Sequence, residues 1–416
     1  MIAVNEASRV AACFKIDQPI EVCDFAGKGN INLDTFLVAA GSERRNYLLQ
    51  RVNTEVFPMA DRVMAGMMAS ITAQRQSLLS GVINAEIGWK ALELVPTHEG
   101  TFYHETMNGA PKATWRLIQF IEDTVSYKSL SEVPEAHRLG IAKEVGRGLA
   151  IYSDLTASID PEAVPVSLPG YRNTRLYYSL FKAALDGHRR HESIAGLLPK
   201  CPETRASCER HFLCALSEEE RIVRKQEPDV QWMIDLALEH EPLALSLQDA
   251  VETGEIRRTV IHGDTKIENF LFDNAFGKVI SLVDLDTVMP LTWLADWGDM
   301  VRSLSNVAGE KETDCSKVQV DSDVYRAVTV GFLSTASTPT EAEIRRMPTA
   351  VQVIAMELGV RFLADYLRGD TYFGLGPNDP HDLNKIRAMV QLTLFKKLLE
   401  HEAEANDLVE AHLARR

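Results

Sequence analysis

The sequence predicts an α+β chain of two lobes, a small antiparallel β-sheet lobe over residues 1–122 and a larger, mostly helical lobe over residues 123–416. Three observations carry this. Up to about residue 125, short stretches alternate apolar and polar positions between Gly-containing turns, the period of half-buried strands. After "EDTVSYKS" the apolar residues recur at helical spacing almost to the end. The exception is a pair of short apolar runs between residues 258 and 288, which reads as a hairpin embedded in the helical lobe.

In chain order, "PIEVCDFAGKGNINLDTFLVAAG" reads as strand, Gly-rich turn and strand, and "NYLLQRV" as a short strand. "PMADRVMAGMMASITAQRQ" has helical periodicity, with Pro58 suited to a first turn. "WKALELVPTHEG", "TFYHETMNGA" and "TWRLIQFI" read as strands with turns at Gly100 and Gly109. The helical lobe then offers "PEAHRLGIAKEVGRGLAIYSDL", "RLYYSLFKAALDGHRRHESIAGLL", "ASCERHFLCALSEEERIVRKQ" and "DVQWMIDLALEHEPLALSLQDAVETG". "NFLFD", "NAFG" and "KVISLVDLD" form the hairpin, and helices resume from about Asp296.

Composition narrows the function. With 416 residues and 45% apolar content the chain can bury a large core. A net charge of −15 argues against nucleic acid as the main partner, because phosphate backbones need dense Lys and Arg. It is compatible with a cationic small molecule. The N-terminus lacks a basic segment followed by an apolar one, so no secretory signal is expected and the chain reads as cytoplasmic. The apolar stretch "AVQVIAMELGVRFLADYL" is interrupted by Glu357, Arg361 and Asp365, so no membrane partner is expected. Six cysteines in a chain this long do not make a disulfide framework. Cys201, Cys208, His211 and Cys214 lie close together without a CxxC pair and read as ordinary thiols rather than structural zinc.

The chemistry concentrates in "TVIHGDTKIENFLFD", residues 259–273. "HGDTKIEN" has the spacing H-x-D-x-K-x-x-N, and the catalytic loop of protein kinases is H-R-D-x-x-x-x-N. Asp264 then stands as the base that orients an acceptor hydroxyl and takes its proton, and Lys266 lies over the transferring phosphate. The strand after the hairpin ends in "VDLD", which puts Asp284 where a metal-binding Asp belongs. Asn269 and Asp284 would hold Mg²⁺, a hard cation that prefers oxygen ligands. Asp286 shares the strand face of Asp284 at period two and is counted with the metal set, as a second ligand or as a supporting acceptor. Asp296 reads either as a helix N-cap or as a buried acceptor for catalytic-loop amides. Asp299 and Arg302 read as a helical ion pair.

With these motifs the sequence resembles the aminoglycoside phosphotransferase and choline kinase superfamily, the small-molecule branch of the protein-kinase-like fold. Within it, "HGDTKIENFLFD", "LVDLDTVMP", "YLLQRVNTEVF", "WRLIQFIEDT", "LPGYRNT" and "LGVRFLADYLRGDTYF" are similar to sugar kinases of the N-acetylhexosamine 1-kinase type. The resemblance implies ATP and Mg²⁺ as cofactors and a small-molecule acceptor, in the first place a sugar. It implies that "GKGNINLDT" covers the nucleotide, with Gly27 and Gly29 at the phosphates, and that Phe120, Ile121 and Glu122 form the hinge that meets adenine. It implies Asn30, Arg172 and Arg361 at the acceptor, beside Asp264. For Arg361 the alternative is an i,i+4 pair with Asp365 on a helix surface.

One departure stands out. The phosphate-binding lysine that protein kinases carry on this strand falls at Gln50, and its usual Glu partner is missing from residues 58–76. Gln50 or the glycine-loop amides are left to face the phosphates, since Arg51 points to the opposite strand face. Arg172 stands where the resemblance leads one to expect His. The rival readings are an aminoglycoside- or choline-type kinase with a cationic acceptor, and a nucleotide-binding pseudokinase.

Overall fold

A computed structural model of the chain describes residues 4–27, 29, 31–81, 88–106, 112–190, 196, 212–275 and 277–415. The alternating region folds into an antiparallel sheet. Its strands are β1 (Ile20–Asp24), β2 (Thr35–Ala40), β3 (Arg45–Arg51), β4 (His104–Thr106) and β5 (Ala113–Gln119), in the order β1-β2-β3-β5-β4. On one face Phe36, Val38, Leu49, Trp115 and Leu117 pack against α1 (Val4–Ala11), a helix to which the sequence reading assigns no element. The other face looks toward α2 (Ala60–Leu79) and the rest of the molecule. α2 begins two residues after Pro58, which sits outside its first turn.

"WKALELVPTHEG" is not a full strand. It runs beside the end of β5 through an isolated bridge, Leu94 to Ile118, with the Val95 amide donating to the Leu117 carbonyl at 2.9 Å. Pro96 has no N–H and ends the ladder there. Gly109 lies outside the described residues.

The helical lobe comprises α3 (Glu135–Thr156), α4 (Thr174–Leu185), α5 (Glu218–Gln226), α6 (Pro228–Glu239), α7 (Glu241–Glu252), α8 (Trp293–Ser305), α9 (Ser322–Leu333), α10 (Glu341–Arg345), α11 (Met347–Arg368), α12 (Leu383–Glu400) and α13 (Glu402–Leu413). The pattern over 229–254 is two helices, because Pro242 cannot continue α6 but suits the first turn of α7. Cys201, Cys208 and His211 lie outside the described residues, and Cys214 is a buried free thiol. α11 is apolar and long enough to cross a membrane by composition, yet it is the central core helix and nearly all of it is buried.

The embedded hairpin forms as expected. β6 (Thr124–Val125), β8 (Phe270–Asp273) and β9 (Val279–Leu282) make one small sheet. β7 (Thr259–Ile261) and β10 (Met289–Leu291) pair beside it. β6 directly follows the connector over 120–123, so the chain leaving the large sheet is tied at once to the hairpin. α2 closes the back of this arrangement. A Cβ on Gly66 would lie 2.8 Å from the Val288 carbonyl oxygen, so the glycine lets the helix backbone rest on the segment after β9.

Candidate active site

The loop between β7 and β8 carries His262, Gly263, Asp264, Lys266 and Asn269. It is held from behind by Asp296 of α8, which is 3% exposed. The amides of His262 and Gly263 donate to its two carboxylate oxygens at 2.7 and 2.8 Å, and Thr265 Oγ1 donates to its backbone carbonyl at 2.7 Å. Asp296 is therefore the buried acceptor, and Thr292 is the N-cap of α8. Burial pushes the Asp296 carboxyl up, against the two amides that favour its charged form. Gly263 has φ +89°, and a Cβ there would meet the Thr287 carbonyl oxygen at 2.6 Å, so the position admits only glycine in this conformation.

His262 is fully buried and its pKa is lowered by that burial, so the ring is neutral. Nδ1 accepts the Asp264 amide at 3.3 Å, which leaves the proton on Nε2 to donate to the Val283 carbonyl at 2.8 Å. One side chain thus ties the catalytic loop to the segment that presents Asp284. Asn269 donates through Nδ2 to the Asp264 carbonyl at 2.7 Å and to its carboxylate at 3.2 Å. That turns its amide oxygen away from Asp264 as a donor for a cation. Lys266 Nζ lies 3.2 Å from Asp264 and 2.7 Å from Glu268. Burial acts to lower its pKa, but the two carboxylates outweigh burial and hold the ammonium charged.

Asp284 and Asp286 separate where strand alternation would have kept them together. β9 ends at Leu282, Asp284 takes a left-handed backbone (φ 64°), and residues 285–287 form a 3₁₀ turn. Asp284 is exposed, whereas Asp286 is 3% exposed. The Asp284 pKa is raised by the surrounding protein and by the charges of Asp286 and Asp264. Carboxylates crowded in this way would be relieved by a cation, and Asn269 and Asp284 offer the oxygen donors that Mg²⁺ would take.

Asp286 does not join that set. One oxygen pairs with the Arg116 guanidinium and the other accepts from Asn32 Nδ2 at 2.7 Å. This corrects its place among the metal ligands and leaves the supporting-acceptor reading. Arg116 and Asn32 were missed in the sequence. A lone arginine in the apolar strand "TWRLIQ" was the available signal, but only strand register shows what it faces. Arg116 is 1% exposed and stands directly opposite Gln50, which in turn stands opposite Thr35. Arg51 lies on the other face, paired with Asp34.

Of the nucleotide-side residues, Gly27 leaves room for the Phe25 ring, 3.0 Å from where its Cβ would be, and Gly29 has open space around it. Phe25 meets Phe120 edge-on at 6.2 Å between centroids, so the loop touches the connector. Phe120, Ile121 and Glu122 follow β5 directly, and Glu122 accepts from Asn46 at 2.9 Å. Asn30 lies outside the described residues.

On the far side of the catalytic loop is a cavity of about 410 Å³. Tyr171 joins the two, since it lines the cavity and its hydroxyl donates to the Gly263 carbonyl at 2.9 Å. Arg361 sits among the rings of Tyr171, Tyr177, Tyr372 and Phe373, 4.7–5.6 Å from their centroids. Its only hydrogen bond among the described residues is a long one, 3.4 Å, to the Tyr372 hydroxyl, and no pair with Asp365 forms. The Asp365 carboxylate instead caps the Tyr372 and Phe373 amides. Arg368 also lines the cavity, 4% exposed, with Nε and Nη1 unpartnered among the described residues.

Arg172 is elsewhere. Its guanidinium is buried against Asp299 at 2.7 Å and Glu357 at 3.3 Å. This corrects the expectation of a substrate-facing group, because two buried carboxylates demand the cation and its neighbour Tyr171 takes the cavity wall. Asp299 does pair with Arg302, at 2.8 Å, as expected.

A model of the phosphotransferase enzyme family (APH) matches residues 28–314. Among solved structures, that of a microcompartment-associated aminopropanol kinase aligns over 97% of this chain and 99% of its own, with 11% identity and a TM-score of 0.54. Choline kinase from Cryptosporidium parvum aligns over 94% and 93%, with 11% identity and a TM-score of 0.51. The amicoumacin kinase hAmiN, in complex with AMP-PNP, Ca²⁺ and Ami, aligns over 94% and 93%, with 12% identity and a TM-score of 0.50. At such identities these three speak for the two-lobed fold.

Proposed function

The chain belongs to the phosphotransferase enzyme family and is a small-molecule kinase with an alcohol group as acceptor, and on that premise we propose that it transfers the γ-phosphoryl group of ATP to the anomeric hydroxyl of a hexose or N-acylated hexosamine. The observation that carries the sugar reading is Arg361. Its donors face a cavity walled by tyrosines and a phenylalanine, beside a catalytic loop reached through Tyr171. Ring faces suit the C–H surface of a sugar, and guanidinium donors suit ring and hydroxyl oxygens. An aminoglycoside-type cation would ask for carboxylates there, and the rings that a choline-type ammonium would use already hold the Arg361 guanidinium. Among the described residues the cations at this wall are Arg361 and Arg368, and the one carboxylate, Glu55, is exposed.

In this reading Asp264, steadied by Asn269, accepts the acceptor proton, and Lys266 balances charge at the transferred phosphate. Asn269 and Asp284 would hold Mg²⁺, which, when bound, neutralises phosphate oxygens. Gly27, Gly29 and Gln50 would face the phosphates, and Phe120 to Glu122 the base. The intact Asp264, Asn269 and Asp284 speak against a pseudokinase. The anomeric hydroxyl is the most acidic on a free sugar and asks least of Asp264.

An ADP-release screen over neutral sugars, N-acyl amino-sugars, aminoglycosides and choline, followed by phosphorus NMR of the product, tests this. A sugar 1-phosphate, coupled to its anomeric proton, is expected. A 6-phosphate, or turnover with cationic acceptors alone, would overturn the acceptor assignment and leave the kinase standing.

A further inference from the structure

We infer that Arg116 is the positioning residue that replaces the missing N-lobe lysine, supplying its charge from the neighbouring strand while Gln50 supplies the phosphate-facing donor. The inference rests on the kinase reading and deepens its nucleotide site.

The geometry is a relay. Arg116 Nε and Nη2 both donate to Gln50 Oε1, at 3.2 and 2.9 Å. The Gln50 carbonyl is thereby committed to Arg116 on β5, which leaves Nε2 on the side of Thr35 on β2. Among the described residues Nε2 has one long contact, 3.4 Å to Thr35 Oγ1, so donor capacity remains on this half-buried side chain. A guanidinium bonded to the amide oxygen polarises the amide and strengthens its N–H donors. Gln50 is half-buried while Arg116 is sealed, so the two roles divide by depth.

The counter-charge has moved as well. α2 offers Met67 to Arg116, with Sδ 3.8 Å from Nη1, where a glutamate would be needed to repeat the usual pair. The carboxylate comes instead from Asp286, two residues beyond Asp284. The N-lobe cation is therefore joined to the segment that presents the proposed metal ligand rather than to the helix behind it. Asn32, at the end of the nucleotide-covering loop, bonds the same carboxylate. Loop, sheet and metal segment converge on one buried pair.

Equilibrium binding of ATP, ADP and adenosine to purified variants tests the relay. Arg116→Gln is expected to weaken ATP and ADP at least about tenfold and to leave adenosine unchanged, since charge-assisted bonds act at the phosphates alone. Because Asp286 would be stranded in that protein, Arg116→Gln/Asp286→Asn is measured beside it, with the same expectation. Gln50→Lys alone is expected to lose ATP affinity, through repulsion by Arg116. Gln50→Lys combined with Arg116→Gln, which returns the charge to β3, is expected to bind ATP better than either single variant. Equal loss of adenosine and ATP, or ATP affinity unchanged in both Arg116 variants, would overturn the inference while wild-type ATP binding keeps the kinase reading. A wild-type protein that binds no ATP would overturn both.

Discussion

Behind the catalytic loop, Asp286 has Arg116 on one oxygen and Asn32 on the other, and Asp296 has two loop amides. In front of it, Arg361 has one long hydrogen bond and Arg368 has two unpartnered nitrogens among the described residues. Both regions are buried or half-buried and both hold arginines. A buried polar group without a partner costs free energy, so the first region is complete in itself, and under the proposed function the acceptor would complete the second.

The strongest way to break the comparison is at the loop between the two regions. Asp264→Asn keeps the shape of the loop and removes the base, and it should cost about 10³-fold in kcat with ATP still bound. Asp284→Ala should in addition weaken Mg·ATP binding. Steady-state kinetics with purified Asp264→Asn decides, and near wild-type turnover would sink the assignment.

Acid tests the partnered regions as a matter of stability. Burial raises the Asp299 carboxyl, but Arg172 and then Arg302 outweigh it and bring it down to about 2. Burial likewise raises Glu343, and Arg257 and the Thr340 amide bring it down to about 2. Both pKa values are lower folded than unfolded, so the native state binds fewer protons. Their contribution is present above about pH 4 and is lost as pH falls through about 2, on the order of 2–3 kcal/mol each. Denaturant midpoints measured from pH 7 to pH 2 should fall in that window. A flat profile there would mean these pairs are not formed in solution.

Arg361→Gln sharpens the other side. It should raise KM for the acceptor about tenfold while ATP affinity holds, because in the proposed reading its donors meet the acceptor and not the nucleotide. A loss of ATP affinity of the same size would merge the two regions that the structure keeps apart. The smallest expected effect is Gln50→Lys, a severalfold loss in kcat/KM for ATP, since a lysine there would face Arg116 rather than a carboxylate. A gain would mean that the site still follows the electrostatics of a protein kinase.

Local spacing made part of this protein legible in its sequence. Asp264, Lys266 and Asn269 lie within six residues, and His262 and Gly263 beside them, so the loop could be picked out as a candidate site without knowing what packs around it. The period-two and helical patterns likewise marked β1, β2, β3, β5, α2 and α3, because burial of one face imposes that period on any strand or helix. Asp284 was picked out as a candidate through the hairpin, whose strands are adjacent in the chain.

What spacing could not reach is the set of partners drawn from distant elements. Nothing local tells Asp284 from Asp286. The left-handed turn at Asp284 separates them, and Arg116, 170 residues away in sequence, selects Asp286. Arg172 and Arg361 looked alike as acceptor residues, until Asp299 of α8 and Glu357 of α11 captured the one and a ring of aromatic side chains enclosed the other. An arginine's role is set by where the nearest carboxylate lies. In this chain that is decided by strand register and helix packing, which bring together residues that no sequence period connects.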